Sequence, residues 1–597
     1  MAGWFCWPVA ADPVHLALGH VGNDVGNHVW GYGWVAASLT SGHLPTHTTL
    51  LSWPNGGSLW FIDAFDVLLT LPVNLLWGPV AAYNAANLFN FWLAGVGARA
   101  LARRVSGSEW GAWVAGMCFM ATPQLLGQAY NGISETLAVG WLPLALLALD
   151  RLLERPTLRA GALAGLAQAV ATLFNWYYGL FGMMVGALMF ARAALAARRG
   201  DGPSFRALFP ALVLGALVFV AVAGPPFSLF AASMNADDAL VTRDPDFVWK
   251  TLVLHNMTDG VALFHPGRFY SPDLKTVFGE DLIVVVYVGY ALWVPALVGA
   301  WFARPRGTVV LWGAAAAGFG LLALGPFLYW GGDYTQVAGG WLPLPFLALF
   351  KLIPMFSRIS HAYRFVIGLS LALSVLAAMG VRAAERRGWD VPVYVTAIVL
   401  LRLFETTSAS SAVFPVVTTA VDPPAVLAQL EGGAVLDLPV GVPILARSRF
   451  LLEQLVHRQP VPFGLNEPTP KVLYYNHFTQ YLLELERSQV TQLPSRGPDL
   501  DLELGRAALV DMGLKWILVH EGDYPASQLP KVERFLDEHA TAVHAGDGLR
   551  IYRLDPTVEP ALGPEATAAA GTVSPEATVS PDAAAPAPPP EPQVPAG

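Results

Sequence analysis

Arg206-Ala-Leu-Phe-Pro-Ala-Leu-Val-Leu-Gly-Ala-Leu-Val-Phe-Val-Ala-Val-Ala-Gly-Pro-Pro-Phe-Ser-Leu-Phe230 carries no charge after its first residue. A helix needs about 20 apolar residues to cross a bilayer core, so this run reads as a membrane span. Similar runs lie near 80–102, 109–128, 135–153, 159–176, 177–197, 281–303, 308–329, 362–381 and 390–404, the last of them short. Two weaker segments, 62–78 and 340–356, are interrupted or bounded by Pro72 and Pro79 and by Pro343, Pro345 and Pro354. They read as helices lying on the membrane surface or dipping into it. The fold class that follows is mainly α, a polytopic transmembrane helical bundle of about 10–12 membrane helices.

Composition points the same way. Of 597 residues, 54% are hydrophobic and 13% charged, against roughly 25% charged in soluble proteins. Mean hydropathy is +0.47. The net charge of −9 comes without a dense basic block, so nucleic acid is not an expected partner. Cys6 and Cys118 are far apart and offer neither a disulfide framework nor a metal-ligand spacing. A Gly-Lys-Ser/Thr phosphate loop and a Gly-x-Ser-x-Gly elbow are both missing from the sequence, which argues against an ATP-driven pump.

Arginines orient the spans. They cluster at Arg99, Arg103 and Arg104; at Arg151, Arg155 and Arg159; at Arg192, Arg198, Arg199 and Arg206; at Arg304 and Arg306; and at Arg382, Arg386 and Arg387. The positive-inside rule puts all of these in the cytoplasm. The connections 11–79, 129–134, the turn near Asn175, 231–280, 330–361 and everything after 405 then face outward. The scheme holds only if 62–78 does not span. It also calls for a span before residue 11, where Met1–Ala10 is too short to cross. A truncated first helix is expected.

The pattern changes near residue 420. Ala434-Val-Leu-Asp-Leu-Pro439 and Lys515-Trp-Ile-Leu-Val-His520 read as strands, with helices near 446–458, 506–513 and 530–539. A hairpin is expected around Gly546-Asp547-Gly548. The domain reading is therefore 1–79, a truncated first helix and long outer loop with a surface helix; 80–405, the transmembrane helices; 420–555, a small soluble α/β domain outside the cytoplasm; and 556–597, a Pro/Ala-rich disordered tail.

Chemistry-bearing residues concentrate in the outward segments. The first holds Asn23, Asp24, His28 and Trp30, then Asp63 and Asp66. Amides and carboxylates hydrogen-bond sugar hydroxyls, and aromatic faces cover the C–H surface of the ring. The same residues also fit a polar loop packed on the membrane with interfacial aromatics. Asp63 and Asp66 fit a helix start as well. Glu135 begins a span; an acid at a membrane face is a functional candidate, and it also suits a helix N-terminus. Asn175, Tyr177 and Tyr178 sit at an outward turn. Arg358, His361 and Arg364, three residues apart, share one face. They suit a phosphate, and equally lipid headgroups or acids of the C-terminal domain. Lys351, His265 and Arg268 with Tyr270 are further outward candidates. His15, His20, His28, His43 and His47 match no compact metal motif.

The order of several short segments resembles one family. They are Gly22-Asn-Asp-Val25, Ser52-Trp-Pro-Asn-Gly56, Ala82-Tyr-Asn84, Trp141-Leu-Pro-Leu144 with Asp150-Arg151, Phe174-Asn-Trp-Tyr-Tyr-Gly179, Ser357-Arg-Ile-Ser-His-Ala-Tyr-Arg-Phe365 and Leu549-Arg-Ile-Tyr-Arg553. Together they resemble uncharacterised bacterial members of the GT-C superfamily of membrane glycosyltransferases. The resemblance implies a multi-pass enzyme of the inner (cytoplasmic) membrane. It would move a hexose or pentose from a polyprenyl-phosphate-linked donor to a lipid or cell-envelope glycan acceptor outside the cytoplasm, among membrane lipids. Asp24 would be the general base; Asn23, His28, Trp30, Asp63, Glu135, Asn175 and Tyr177 would bind substrate; Arg358, His361 and Arg364 would hold the donor phosphate. Many members carry two acids one residue apart that share a divalent metal. Asp24 stands between Asn23 and Val25, so the metal is left open and no cofactor is assigned. The alternatives are a transporter or flippase of lipid-linked saccharides, and a non-catalytic envelope protein.

Overall fold

The computed structural model describes residues 1–241, 245–266, 282–487 and 500–555. The tail 556–597 and the candidates Arg268 and Tyr270 lie outside the described residues.

Most of the described chain is helical: α1 (Val25–Thr40), α2 (Ala64–Ser106), α3 (Glu109–Met120), α4 (Pro123–Asn131), α5 (Trp141–Glu154), α6 (Leu158–Phe174), α7 (Trp176–Arg199), α8 (Phe205–Met234), α9 (Tyr290–Phe302), α10 (Arg306–Ala323), α11 (Val366–Arg386) and α12 (Val391–Phe404). Among the described residues, 7 helical segments are long and apolar enough to cross a membrane. They are Ala64–Ser106, Ser134–Glu154, Trp176–Arg199, Phe205–Met234, Arg306–Ala323, Ala362–Arg386 and Val391–Ala409. α6 and α9 are shorter apolar helices. The chain is a multi-pass membrane protein. α11 is its axis, buried along nearly its whole length. α9 lies against it where a side chain at Gly299 would collide with the Leu376 carbonyl, and one at Gly380 with that of Pro295. Small residues let the two backbones touch.

Among the described residues, apolar runs do not all become single long helices. The run 109–128 breaks at Thr122, which is extended, before Pro123 opens α4. Arg402 and Thr406 then serve the carbonyls freed at that break. Arg402 Nε donates to Cys118 O at 3.1 Å and Thr406 Oγ1 to Ala121 O at 2.6 Å. The run 281–303 becomes helical only at Tyr290; Ile283–Gly289 is buried but non-helical. Arg402 Nη1 donates to Val288 O at 2.7 Å, and Glu405 accepts from the backbone of Tyr290 and Ala291. Buried backbone away from water needs such partners. The weak segment 62–78 runs on into the next span as one element, α2, with a break at Gly78 (φ 85°). Of 340–356, only Pro345–Leu352 is α-helical.

All five arginine clusters gather at one end of the bundle. Arg104 pairs with Asp150 and Glu154, and Ser108 donates to Glu385. Arg387 lies over the Phe302 ring, and Arg192 donates to Thr308 at the foot of α10. The other ends of these helices carry Asp63, Glu135, Asn175 and Arg364.

The C-terminal strands β1 (Ala434–Leu438), β2 (Leu514–His520), β3 (Thr541–Gly546) and β4 (Leu549–Arg553) form one sheet in the order β3-β4-β2-β1. β1 and β2 run parallel; the other pairs are antiparallel. Its helices include α13 (Phe450–His457), α14 (His477–Arg487), α15 (Leu502–Asp511) and α16 (Leu529–His539). α13 packs on α1. Ser448 Oγ donates to Asn23 O, Trp30 Nε1 to Gln454 Oε1, and Gln454 Nε2 to Leu50 O. Leu16–Leu18 pairs with Thr418–Ala420, a second tie between the first outward segment and the chain after the last span.

At Gly26 a Cβ would strike the Ser448 carbonyl. Backbone cannot yield as a side chain does, so Gly26→Ala should destabilise this contact by about 1–3 kcal/mol. The expected readout is faster proteolysis near 446–458 in detergent. Gly307→Ala, at a position with open space, serves as the unchanged control.

Candidate functional site

Asp24 occupies the N-cap position of α1, but its side chain does not cap the helix. Its carboxylate Oδ1 accepts from Asn27 Nδ2 at 2.8 Å and from Asn466 Nδ2 at 2.8 Å. Neither bond uses Oδ2. The residue is 9% exposed, and its backbone N–H is held by Asn131 O at 3.0 Å. Asn466 reaches it from a loop far along the chain; nothing in the sequence signals that approach.

One turn further along α1, His28 enters a buried charge cluster. Its Nδ1 lies 2.7 Å from Asp63 Oδ2, and its Nε2 lies 3.7 Å from Glu135 Oε2. Ser134 Oγ donates to Asp63 Oδ2. Arg364 Nη2 lies 3.3 Å from Glu135 Oε1, and its guanidinium covers the Tyr177 ring at 5.2 Å. Asn175 Nδ2 donates to Glu135 O at 2.9 Å while its Oδ1 accepts from the Tyr177 N–H at 2.9 Å. Burial opposes charge on His28, but Asp63, then Glu135 and Asp24, outweigh it and raise the imidazole to about 9. Asp66 faces Asn90 Nδ2 at 3.0 Å.

The structure therefore joins Asp63, His28, Glu135, Asn175, Tyr177 and Arg364, with Asp24 one turn away on α1. Asn23 faces Asn131 with its amide, and Trp30 points to the C-terminal sheet unit through Gln454. Arg358 is exposed on the Phe356–Arg358 turn, and His361 Nδ1 lies 2.8 Å from Ser360 Oγ. Neither belongs to the cluster. Ser134 was not singled out from the sequence, although it adjoins Glu135.

His28, Asp63 and Glu135 each offer a ligand atom, all within 4.8 Å of one another. Asp63 Oδ1 and Glu135 Oε2 are buried without a hydrogen-bond donor. One imidazole and two carboxylates form a donor set that suits a divalent cation.

Two narrow clefts flank these residues. One is lined by Gln124, Gln128, Thr136, Asn175, Tyr177 and Arg364, among others; the second by Asn27, Asp437, Arg447, Phe463 and Asn466, among others. Each has about 10 Å³ of free volume, room for about one water molecule.

No protein-family model matches the chain, and no curated protein does. Among solved structures the chain is similar to ArnT from Cupriavidus metallidurans bound to undecaprenyl phosphate, at 13% identity over 92% of this chain and 95% of that one, with a TM-score of 0.42. It is also similar to the apo oligosaccharyltransferase of Archaeoglobus fulgidus, at 13% identity over 91% and 72%, with a TM-score of 0.44. The same organism's AglB, in complex with an inhibitory peptide and a dolichol-phosphate, aligns at 11% identity over 92% and 72%, with a TM-score of 0.44.

Glu135 and Arg364 are each other's neutralising partner. Glu135→Gln leaves a buried cation unpaired and should destabilise the protein by about 3–5 kcal/mol. Arg364→Gln added to it should recover part of that loss. Thermal unfolding of the detergent-purified single and double variants measures the coupling; strict additivity would disprove it.

Proposed function

We propose that this chain is a GT-C-type membrane glycosyltransferase that works on the extracytoplasmic side, with Asp24 as general base. The observation that carries the reading is the Asp24 carboxylate itself. It is buried, two amide donors fix its Oδ1, and its Oδ2 takes neither of these bonds and is offered to an acceptor hydroxyl. Arg364 supports the reading from the adjoining buried cluster, as a cation that would turn from Glu135 to a lipid-linked phosphate.

In this reading the acceptor lies in the cleft between α1 and the C-terminal unit. Its hydroxyl donates the proton to Asp24 Oδ2 as the oxygen forms a bond to the anomeric carbon. The bond from that carbon to the polyprenyl-phosphate oxygen breaks, and the phosphate leaves with the electron pair. Arg364 balances the charge on the departing phosphate. Tyr177 and Asn175 line the cleft beside it and position the sugar. A divalent cation on His28, Asp63 and Glu135 would add charge stabilisation at the phosphate when bound. The arginine end of the bundle is cytoplasmic and the 420–555 unit is a separate outer domain that closes over the acceptor. In this reading the protein belongs to the bacterial inner membrane.

Asp24→Asn keeps the size and both Oδ1 contacts but cannot take a proton. Transfer from a panel of synthetic polyprenyl-phosphate hexoses and pentoses to membrane-lipid extract should fall about 10²–10⁴-fold, the usual worth of a general base. Donor binding should be unchanged. Full-rate transfer by this variant, with an unaltered unfolding profile, would remove Asp24 from the mechanism.

A further inference from the structure

A second set of converging ligand atoms lies in the C-terminal unit, outside the His28 cluster and independent of the transferase reading. The parallel register pairs Asp437 of β1 with Leu518 of β2. His520, two residues on, points to the same face of the sheet. α13 crosses that face. Its Phe450 and Glu453, three apart, share one side of the helix, and the Phe450 ring stacks on His520 at 4.5 Å. His520 Nε2 is 3.1 Å from Asp437 Oδ1, and its Nδ1 is 3.4 Å from Glu453 Oε1. One ligand atom from each of the three side chains falls within 4.8 Å of the others.

Hydrogen bonding leaves this group incomplete. Asp437 is fully buried at 0% exposure, yet its Oδ2 has no partner, and Glu453 Oε2 has none either. Two carboxylates face one imidazole, and buried negative charge without compensation is costly. Of the nearby arginines, Arg449 forms its ion pair with Asp523 at 2.6 Å, and Arg447 donates to Glu467 O and Thr469 Oγ1.

We propose that Asp437, Glu453 and His520 form a divalent metal site, for a first-row transition ion such as zinc. An imidazole nitrogen with two carboxylate oxygens is a donor set that zinc accepts at about 2.0–2.2 Å. Asp437 and Glu453 face opposite ring nitrogens, so the ion takes one nitrogen and the carboxylate now at the other turns toward it. The ion pins α13 to the sheet. α13 carries Gln454, which holds Trp30 of α1, so the metal stiffens the surface on which the helix of Asp24 rests. Its role is structural.

Metal-stripped full-length protein in detergent, titrated with zinc chloride, tests the site. Bound zinc is counted after dialysis, and thermal unfolding is followed with and without the ion. His520→Ala and Asp437→Asn should each lose one zinc equivalent that His28→Ala retains. Zinc should raise the unfolding midpoint of wild type more than that of His520→Ala. Glu453→Gln, which preserves size, supplies the same comparison if the alanine variant fails to fold; it should bind that zinc at least about tenfold more weakly. Equal zinc stoichiometry and affinity in wild type and these variants would overturn the proposal. So would a wild type that takes up no zinc, whose cluster is then a protonated carboxylate–imidazole relay.

Discussion

Glu135 is the carboxylate on which this end of the bundle converges. It meets His28 of α1 and Arg364 at the start of the α11 segment, and Asn175, at the mouth of α7, grips its carbonyl. Asp63, leading into α2, joins through His28 and Ser134. A charge buried near a membrane face is costly when alone. The group is therefore held as a unit: removing any one member leaves the others short of a partner. That constraint orders the starts of four helices, and it places Arg364, His28 and two acids within one small volume.

The opposite end obeys a looser rule. Arginine clusters pair with exposed acids such as Glu109 and Glu154, and exposed pairs contribute little stability. Under the proposed orientation their weight is in topology, since basic residues favour the cytoplasmic side. One end of the bundle is thus specified by charge in bulk, and the other by particular contacts.

This division explains what the sequence disclosed. Apolar runs and arginine clusters are local signals, and they yielded the multi-pass helical architecture. Hydropathy cannot see where an apolar run stops being helical. The break at Pro123 and the buried non-helical Ile283–Gly289 depend on Arg402, Glu405 and Thr406, which lie far along the chain. Asp63 was legible as a helix start, and it does stand at one, yet its side chain turns to His28 instead of the helix. Spacing placed Arg358, His361 and Arg364 together on one face, but irregular backbone between them brings only Arg364 to the cluster. Asn466 could not have been found, since its claim rests on tertiary approach alone.

Asp24 and the Glu135 cluster are next to each other but are built differently. The cluster is tied by contacts among the helix starts themselves. Asp24 instead depends on Asn466 and, through α1, on α13 and Ser448, all from the far side of a domain contact. Moving the C-terminal unit away would release Asn466 and open the cleft at Asn27, while the cation at Arg364 stayed where the bundle holds it. Under the proposed function, access for an acceptor and retention of a donor are then separate mechanical properties, because the Asn27 contact of Asp24 stays within α1 while its Asn466 contact depends on the domain contact.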